Sequence, residues 1–233
     1  MDFTGKVVVV TGATGALGQA VTRAFLQAGA RVVATYTREA EFNALQENVS
    51  GRENLFGIKT NVLDETSVQA MIEQAGRLGS LDVLVNTVGG FLGGVPVAET
   101  TLEQFDKMFA LNLKSAFLCC KHVLPLMLQH RRGCIINISS QGGLHGGEGL
   151  SVYGASKAGL INFTQTLAAE GKRHNITANA VIPGVIDTPA NRQAMPSANF
   201  AEWVTPTAVA QTILLLASET AQAINGATIP VGA

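Results

Sequence analysis

Short apolar runs alternate with segments of helical periodicity along the whole chain, and this alternation most constrains its fold. The runs are rich in β-branched residues at consecutive positions, as expected for parallel strands covered on both faces by helices. Repeated strand–helix units imply right-handed crossovers and a doubly wound α/β sheet. We therefore predict a mostly parallel seven-stranded sheet with helices on both faces. The expected strands are 6–11, 31–36, 55–60, 83–86, 134–139, 177–182 and 227–231, and the expected helices are 16–29, 39–49, 65–78, 101–130, 152–173 and 206–218.

Composition narrows the class of function. The chain has 233 residues, and only 14 % are charged, with a net charge of -1. This balance cannot supply the basic stripe that nucleic-acid binding requires. No apolar stretch reaches the roughly 18 residues of a membrane span. Three cysteines without C-x-x-C spacing favour packing in a reducing cytosol over a disulfide or zinc site. We predict one domain over 1–233, in the cytoplasm, with no metal.

A glycine loop, Gly12-x-x-Gly15-x-x-Gly18, joins the first expected strand to the first expected helix. Glycines permit a close approach of a pyrophosphate, whose charge meets the N–H groups and positive dipole end of the helix. A purely structural turn would show the same glycines, but the second expected strand at 31–36 favours a dinucleotide site. The predicted binding loop is Gly12, Thr14, Gly15, Ala16, Leu17 and Gly18.

The end of the second expected strand bears on the choice of dinucleotide. An acidic residue there binds the ribose 2′-hydroxyl of NAD, whereas a basic residue suits the 2′-phosphate of NADP. The chain has Tyr36-Thr37-Arg38 at this point, and no carboxylate until Glu39. We predict NADP, with NAD possible, and expect these three residues to contact the cofactor. An Arg38 that simply faces solvent is the alternative.

Tyr153 and Lys157 are four residues apart at the start of an apolar helix and so share one face. A nearby ammonium favours the phenolate and brings a phenol closer to the range that acid–base catalysis needs. Ser140, at the end of a strand, could hydrogen-bond the same substrate oxygen. Spacing alone does not separate this constellation from two ordinary neighbours on a helix.

Taken together, the motifs resemble the short-chain dehydrogenase/reductase family over nearly the whole chain. The matching pieces are Thr11-Gly12…Gly18, Asn86-x-x-Gly89, Asn112, Asn137-Ile138-Ser139-Ser140, Tyr153-x-x-x-Lys157 and Pro183-Gly184-x-x-x-Thr188. The resemblance implies a single-domain Rossmann oxidoreductase that moves hydride between NAD(P)(H) and a carbonyl/alcohol pair.

The resemblance also implies a role for each matching residue. Tyr153 would donate a proton to the carbonyl oxygen, Lys157 would hold the nicotinamide ribose and lower the pKa of Tyr153, and Ser140 would polarise the carbonyl. Asn112 would hold a water in a proton relay, unless it is a structural tie between helix and strand. The other implied cofactor contacts are Asn61, Val62, Asn86, Thr87, Gly89, Pro183, Gly184, Val185, Ile186 and Thr188.

Four positions, in three places, depart from the family pattern. Ala16 stands at the middle glycine of the compact members, Asn61 stands where an aspartate commonly approaches the adenine, and 86–89 reads Asn-Thr-Val-Gly in place of Asn-Asn-Ala-Gly. An asparagine amide can still bond adenine, so we keep the cofactor prediction.

The segment 189–203 falls where the family places its substrate lid, and it resembles the corresponding stretch of dihydropteridine reductase. We expect Met195, Phe200 and Trp203 to close over an apolar or planar substrate. Arg192 either meets an anionic substrate or caps the lid from outside.

The leading prediction is an NADP-dependent oxidoreductase for a ketone or 3-oxoacyl substrate, with Tyr153 as general acid/base. A dihydropteridine reductase-like enzyme and a catalytically silent dinucleotide sensor are the alternatives. The long helices at 101–130 and 152–173 are apolar on more than one face, and in the family they form a subunit interface. A homodimer or homotetramer is therefore expected, with a small-molecule carbonyl compound as the other partner.

Overall fold

Seven parallel strands form one sheet in the order β3-β2-β1-β4-β5-β6-β7. The computed structural model describes residues 1–232. The strands are β1 (Val7–Thr11), β2 (Arg31–Tyr36), β3 (Leu55–Lys59), β4 (Leu81–Asn86), β5 (Gly133–Ile138), β6 (Ile176–Pro183) and β7 (Thr228–Val231). The helices are α1 (Ala16–Gln27), α2 (Glu39–Glu47), α3 (Glu65–Gly76), α4 (Leu102–Phe109), α5 (Ser115–His130), α6 (Ser151–Gly171), α7 (Pro189–Ala194) and α8 (Pro206–Leu216).

The β-branched run of β1 explains why the sheet is covered on both faces. Val8 and Val10 belong to one apolar cluster, which includes residues of α1 and α8. Val7 and Val9 point the other way and belong to a second cluster with residues of α3 and α5. Since successive side chains of a strand alternate between faces, a strand that is apolar at every position needs helices on both sides.

The strand order indicates at which edge of the sheet a ligand is expected to bind. From β1 the chain proceeds to β2 on one side, and it later returns to β4 on the other side of β1. In doubly wound sheets, ligands bind beyond the carboxyl ends of the strands where the order reverses. The loops that follow β1, β4 and β5 meet at this edge and carry the glycine loop, Thr87 and Ser140.

The longest helical stretch, Leu102–His130, is α4 and α5 joined by a π-helical turn, Ala110–Lys114. By length and composition it is apolar enough to cross a membrane. That test is weak here, because core helices pass it too and α5 packs against β4 and α3.

The predicted α/β class and the seven strands are confirmed, with each strand within two residues of its expected ends. The sheet is parallel throughout the described residues rather than mostly parallel. The expected lid segment contains a short helix, α7, and a 3-10 turn at Phe200–Glu202. The three cysteines are free and buried, as the packing interpretation expects.

Candidate active site

The glycine loop passes from β1 into α1 so tightly that a side chain at Gly18 would collide with its backbone. A Cβ at Gly18 would overlap the carbonyl oxygen of Gly12 and lie 2.8 Å from Cα of Ala13. Gly12 itself has a φ of +64°, in the left-handed region that glycine adopts without strain. Gly15, the residue before α1, caps the helix with no side-chain hydrogen bond. The first amides of α1 are therefore available to an anion, and the loop fits a pyrophosphate.

The loop is fixed to its neighbours on both sides. The amide of Gly12 donates to Oγ1 of Thr35 at 3.0 Å, in β2. On the β4 side, the hydroxyl of Thr87 donates to the carbonyl oxygen of Thr11 at 2.6 Å. These bonds hold the two strand ends that flank the loop at a fixed separation.

At the end of β2, Arg38 lies at the surface, with 77 % of its side chain exposed, and it pairs with Glu41 of α2. Thr14 of the glycine loop donates to the same carboxylate at 3.2 Å. Thr37 is exposed, while Tyr36 is partly buried and stacks on Phe42 with ring centroids 4.9 Å apart. Arg38 therefore faces solvent, and its contact with a 2′-phosphate stays a prediction.

Three predicted cofactor contacts have side chains that are already engaged. Asn86 is buried, and its amide donates to Oδ1 of Asn137 at 2.9 Å. Oδ1 of Asn61 accepts the amide of Leu63 at 3.1 Å, and Val62 is buried. The contacts predicted for these residues stay predictions, and at Asn86 only the backbone could make one.

Ser140, just after β5, and Tyr153, in the first turn of α6, lie next to each other. A Cβ at Gly142 would be 3.5 Å from Oγ of Ser140 and 3.3 Å from Cε1 of Tyr153, so both side chains border the same glycine. The Ser140 hydroxyl is buried, yet it completes no hydrogen bond of regular geometry with any group in residues 1–232. The Tyr153 ring is packed edge-on by Phe91, with centroids 4.9 Å apart. Two hydroxyl groups thus stand side by side at this edge of the sheet.

Lys157 occupies the interior of the same cluster. It is 5 % exposed, and its ammonium donates to the carbonyl oxygen of Ile138 at 2.8 Å. Its backbone carbonyl accepts the hydroxyl of Ser139 at 2.9 Å, which fixes α6 to the end of β5. Burial lowers the pKa of Lys157 to about 8.

The expected lowering of the Tyr153 pKa by Lys157 is wrong. Burial raises the pKa of the phenol, and the neighbouring hydroxyl of Ser140 opposes part of that rise. Lys157 does not offset it, because its ammonium is directed at Ile138. A phenol with a raised pKa stays protonated at neutral pH, which suits a proton donor.

Asn112 lies in the π-helical turn and is fully buried. Its Oδ1 accepts the amide of Gly90 at 2.8 Å, and its Nδ2 donates to Oγ of Ser156 at 3.0 Å. A Cβ at Gly89 would lie 3.0 Å from Oδ1 of Asn112 and 3.2 Å from Nζ of Lys157. The side chain therefore ties the loop after β4 to α6 and borders the catalytic candidates, while its role in a proton relay stays a prediction.

The strand β6 leads through Pro183 and Gly184 into the segment that the sequence predicts to be a lid. A Cβ at Gly184 would overlap the carbonyl oxygen of Gly232, and the Gly184 amide donates to Val231 at 2.9 Å. Val185 is 43 % exposed, whereas Ile186 forms an isolated parallel β-bridge with Val204. Thr188 accepts the amide of Asn191 and so caps α7.

Within the lid, Arg192 is committed to its own segment. Its guanidinium makes two bonds to the carboxylate of Asp187, at 2.6 and 2.8 Å, and lies 4.6 Å over the ring of Phe200. Phe200 packs in turn on Trp203, with centroids 4.7 Å apart. This arrangement favours a structural role for Arg192 in the lid over contact with an anionic substrate.

The pKa of Lys157 has a measurable consequence for stability. The unfolded chain, in which lysine titrates near 10.5, binds more protons between pH 8 and 10.5 than the folded protein does, so the free energy of unfolding should rise with pH across that window. The Lys157 contribution to that rise is on the order of 3 kcal/mol. Denaturant unfolding of Lys157→Met should lack this rise, whereas the exposed control Lys172→Met should keep it. Parallel pH profiles for wild type and Lys157→Met would contradict the assignment.

Comparison with known proteins agrees with this geometry. The model of the short chain dehydrogenase family matches residues 6–199. The chain belongs to the short-chain dehydrogenase family. A 3-oxoacyl-[acyl-carrier-protein] reductase of Thermotoga maritima is 34% identical over 99% of this chain and 98% of its own length. A 7alpha-hydroxysteroid dehydrogenase of Bacteroides fragilis is 34% identical over 98% of this chain and 93% of its own length. The structure of ElxO with NADP bound superposes with a TM-score of 0.91, at 30% identity, over 97% of this chain and 96% of that chain. The chain is accordingly an oxidoreductase with the Rossmann fold.

Some residues that shape this short-chain dehydrogenase site were not among the sequence-based candidates. Ser156 holds Asn112, Thr35 holds the glycine loop, and Glu41 joins that loop to Arg38. Glu41 is three residues beyond Arg38, a spacing that brings side chains together on a helix, and this spacing was the available signal. Nothing in the local sequence distinguishes Thr35 or Ser156 from other small polar residues.

Proposed function

We propose that the protein is an NADP-dependent carbonyl reductase. The observation that carries the proposal is the cluster of Ser140, Tyr153 and buried Lys157 at the same sheet edge as a glycine loop whose backbone leaves no room for a side chain at Gly18. A dinucleotide fold alone would support binding, whereas two adjacent hydroxyl groups beside a buried ammonium support chemistry on an oxygen atom.

The residues of the chain divide the work as follows. The nicotinamide cofactor, when bound, supplies the hydride. The hydroxyl of Ser140, which has no regular partner among the described residues, hydrogen-bonds the carbonyl oxygen and orients it. Tyr153, with its raised pKa, gives that oxygen its proton. Lys157 holds the ribose hydroxyls and keeps a positive charge near the developing alkoxide.

Two observations support NADP as the cofactor. Arg38 lies exposed two residues beyond the end of β2, where a 2′-phosphate is expected. ElxO, a related structure, is described with NADP bound. The exposed charge of Arg38 makes the cofactor preference sensitive to salt.

The mouth of the site supports an uncharged, largely apolar carbonyl substrate. Phe91 is 70 % exposed beside Tyr153, and two further apolar side chains, Leu144 and Val185, are exposed in the loops that follow β5 and β6. Arg192 is engaged by Asp187 and so does not favour an anionic group. Ketones and 3-oxoacyl thioesters have this character. One of the relatives is named as a 3-oxoacyl-[acyl-carrier-protein] reductase and another as a 7alpha-hydroxysteroid dehydrogenase.

The deciding experiment compares substrates with and without Ser140. Ketones, a 3-oxoacyl thioester and a quinonoid dihydropteridine would each be offered with NADPH to wild type and to Ser140→Ala. We expect about a 100-fold loss of kcat on the ketone or thioester, since one hydrogen-bond donor to the reacting oxygen is removed. Ser218→Ala, at a partly buried serine that follows α8, is the matched control and should keep full activity. Turnover of the dihydropteridine alone, indifferent to Ser140, would favour the reductase of that type instead.

The dinucleotide sensor is the weaker candidate. A sensor needs the glycine loop but has no use for a proton donor beside an unsatisfied hydroxyl. Cofactor binding without turnover on every substrate in that set would favour the sensor.

We also propose that the protein works as a homo-oligomer in the cytoplasm. A groove on the outer side of the π-helical turn and α6 is lined by Phe109, Leu113, Phe117 and Phe163, and Phe117 is 43 % exposed. An apolar patch of this kind is typical of an interface between proteins. Sedimentation should show a dimer or tetramer, and Phe117→Glu should shift it to monomer. A monomeric wild-type protein would contradict the proposal.

A further inference from the structure

Glu41 is the carboxylate that reaches the predicted 2′ end of the cofactor site. It lies in the first turn of α2, and one of its oxygens pairs with Arg38 while the other accepts the Thr14 hydroxyl at 3.2 Å. Thr14 belongs to the glycine loop, so this one side chain connects the pyrophosphate-binding loop to the 2′-binding arginine. Its neighbour Glu39, in the same turn, is exposed and makes no such contact in residues 1–232.

The charge of Glu41 opposes a 2′-phosphate in two ways. A phosphate that binds Arg38 must share the guanidinium with a carboxylate that already holds it, and the two anions repel each other at short range. A ribose 2′-hydroxyl has the opposite relation to Glu41, because a hydroxyl donates a hydrogen bond that a carboxylate accepts. Arg38 therefore favours NADPH, and Glu41 favours NADH.

We propose that Glu41 is a specificity-determining residue that limits the preference for NADPH over NADH and allows both cofactors to bind. This inference rests on the proposed function, because it assumes that a nicotinamide dinucleotide occupies the site. In many dinucleotide sites, an acidic residue at the end of the second strand binds the ribose 2′-hydroxyl of NAD. This chain has no carboxylate at the end of β2, and the proposal assigns that contact to Glu41 of α2.

The test is direct binding of each cofactor, measured by titrating NADPH and NADH into the protein and following nucleotide fluorescence. Glu41→Gln removes the charge but keeps an amide oxygen that can accept the Thr14 hydroxyl. We expect NADPH to bind about fivefold more tightly, the upper end for an exposed charge pair, and NADH to bind equally or more weakly. The matched control Glu39→Gln removes a charge from the same turn and should change neither affinity.

A double-mutant comparison tests whether Glu41 affects NADPH binding through Arg38. In an Arg38→Gln background, the gain in NADPH affinity from Glu41→Gln should shrink, because there is no guanidinium left to compete for. Added salt should also reduce the difference between wild type and Glu41→Gln. Thermal unfolding of each variant would establish that it is folded before its affinities are compared.

Two outcomes would overturn the proposal while leaving the proposed function in place. One is weaker NADPH binding by Glu41→Gln, which would mean that Glu41 orients Arg38 for the phosphate. The other is an equal effect of Glu41→Gln and Glu39→Gln, which would mean that only net charge matters. Failure of wild type to bind either nucleotide would instead refute the proposed function, and the proposal with it.

Discussion

Replacing Tyr153 with phenylalanine should lower kcat for carbonyl reduction by about 1,000-fold, within the range measured for a positioned general acid. The substitution removes one oxygen and keeps the ring, so the edge-on packing against Phe91 at 4.9 Å is preserved. The loss should fall on turnover, because the phenol acts on the carbonyl oxygen as charge develops there. Steady-state kinetics on the best ketone or 3-oxoacyl substrate would measure it.

Two controls give this result its meaning. NADPH affinity should change by less than about twofold, since Lys157 and the glycine loop are untouched. The 1,000-fold loss in rate corresponds to about 4 kcal/mol of transition-state stabilisation. Thermal unfolding should show a folded variant. Unchanged turnover on every accepted substrate would mean that another group supplies the proton.

Replacing Gly18 with alanine should destabilise the protein by about 3 kcal/mol, the upper part of the usual range for overpacking. The new methyl group would overlap the carbonyl oxygen of Gly12 and lie 2.8 Å from Cα of Ala13. Both are backbone atoms of the turn, so the loop must move to admit it. NADPH affinity should fall more than about tenfold with the displaced amides, a change of at least 1.4 kcal/mol.

Gly15→Ala is the matched control in the same loop. Its methyl group would lie 3.3 Å from the Gly12 carbonyl oxygen, and its φ of -72° is one that alanine adopts freely. Denaturant unfolding should show a change within about 0.5 kcal/mol, typical of a surface substitution. If Gly18→Ala were as mild as Gly15→Ala, close packing would not be what requires glycine at position 18.

The fold was predictable because the whole sheet repeats one simple pattern. In β1, β2 and β4, nearly every side chain is buried, so each strand contains a run of consecutive apolar residues that the sequence shows. The π-helical turn was not predictable, because Ala110–Lys114 continues the apolar pattern of the helices on either side. Within this turn, Asn112 makes tertiary contacts with Gly90 and Ser156, which the local pattern does not reveal.

For the site, the sequence predicted which residues assemble but not what each side chain does there. Asn86 and Thr188 lie where the motifs place them, yet their side chains bind protein groups. The pKa of Tyr153 was predicted in the wrong direction, since burial depends on surrounding chain that spacing does not reveal. Glu41 was overlooked because its importance comes from a contact with Thr14, 27 residues away.

The most direct test of the central claim follows the transferred hydrogen. Wild-type protein would be given NADPH that carries deuterium at both C4 positions of the nicotinamide, together with its best ketone or 3-oxoacyl substrate, and the alcohol product would be examined by mass spectrometry and NMR. We predict one deuterium on the carbinol carbon, with the hydroxyl proton coming from Tyr153 and exchanging with solvent. An alcohol without deuterium on that carbon, or no alcohol from any carbonyl substrate, would contradict the assignment as a carbonyl reductase.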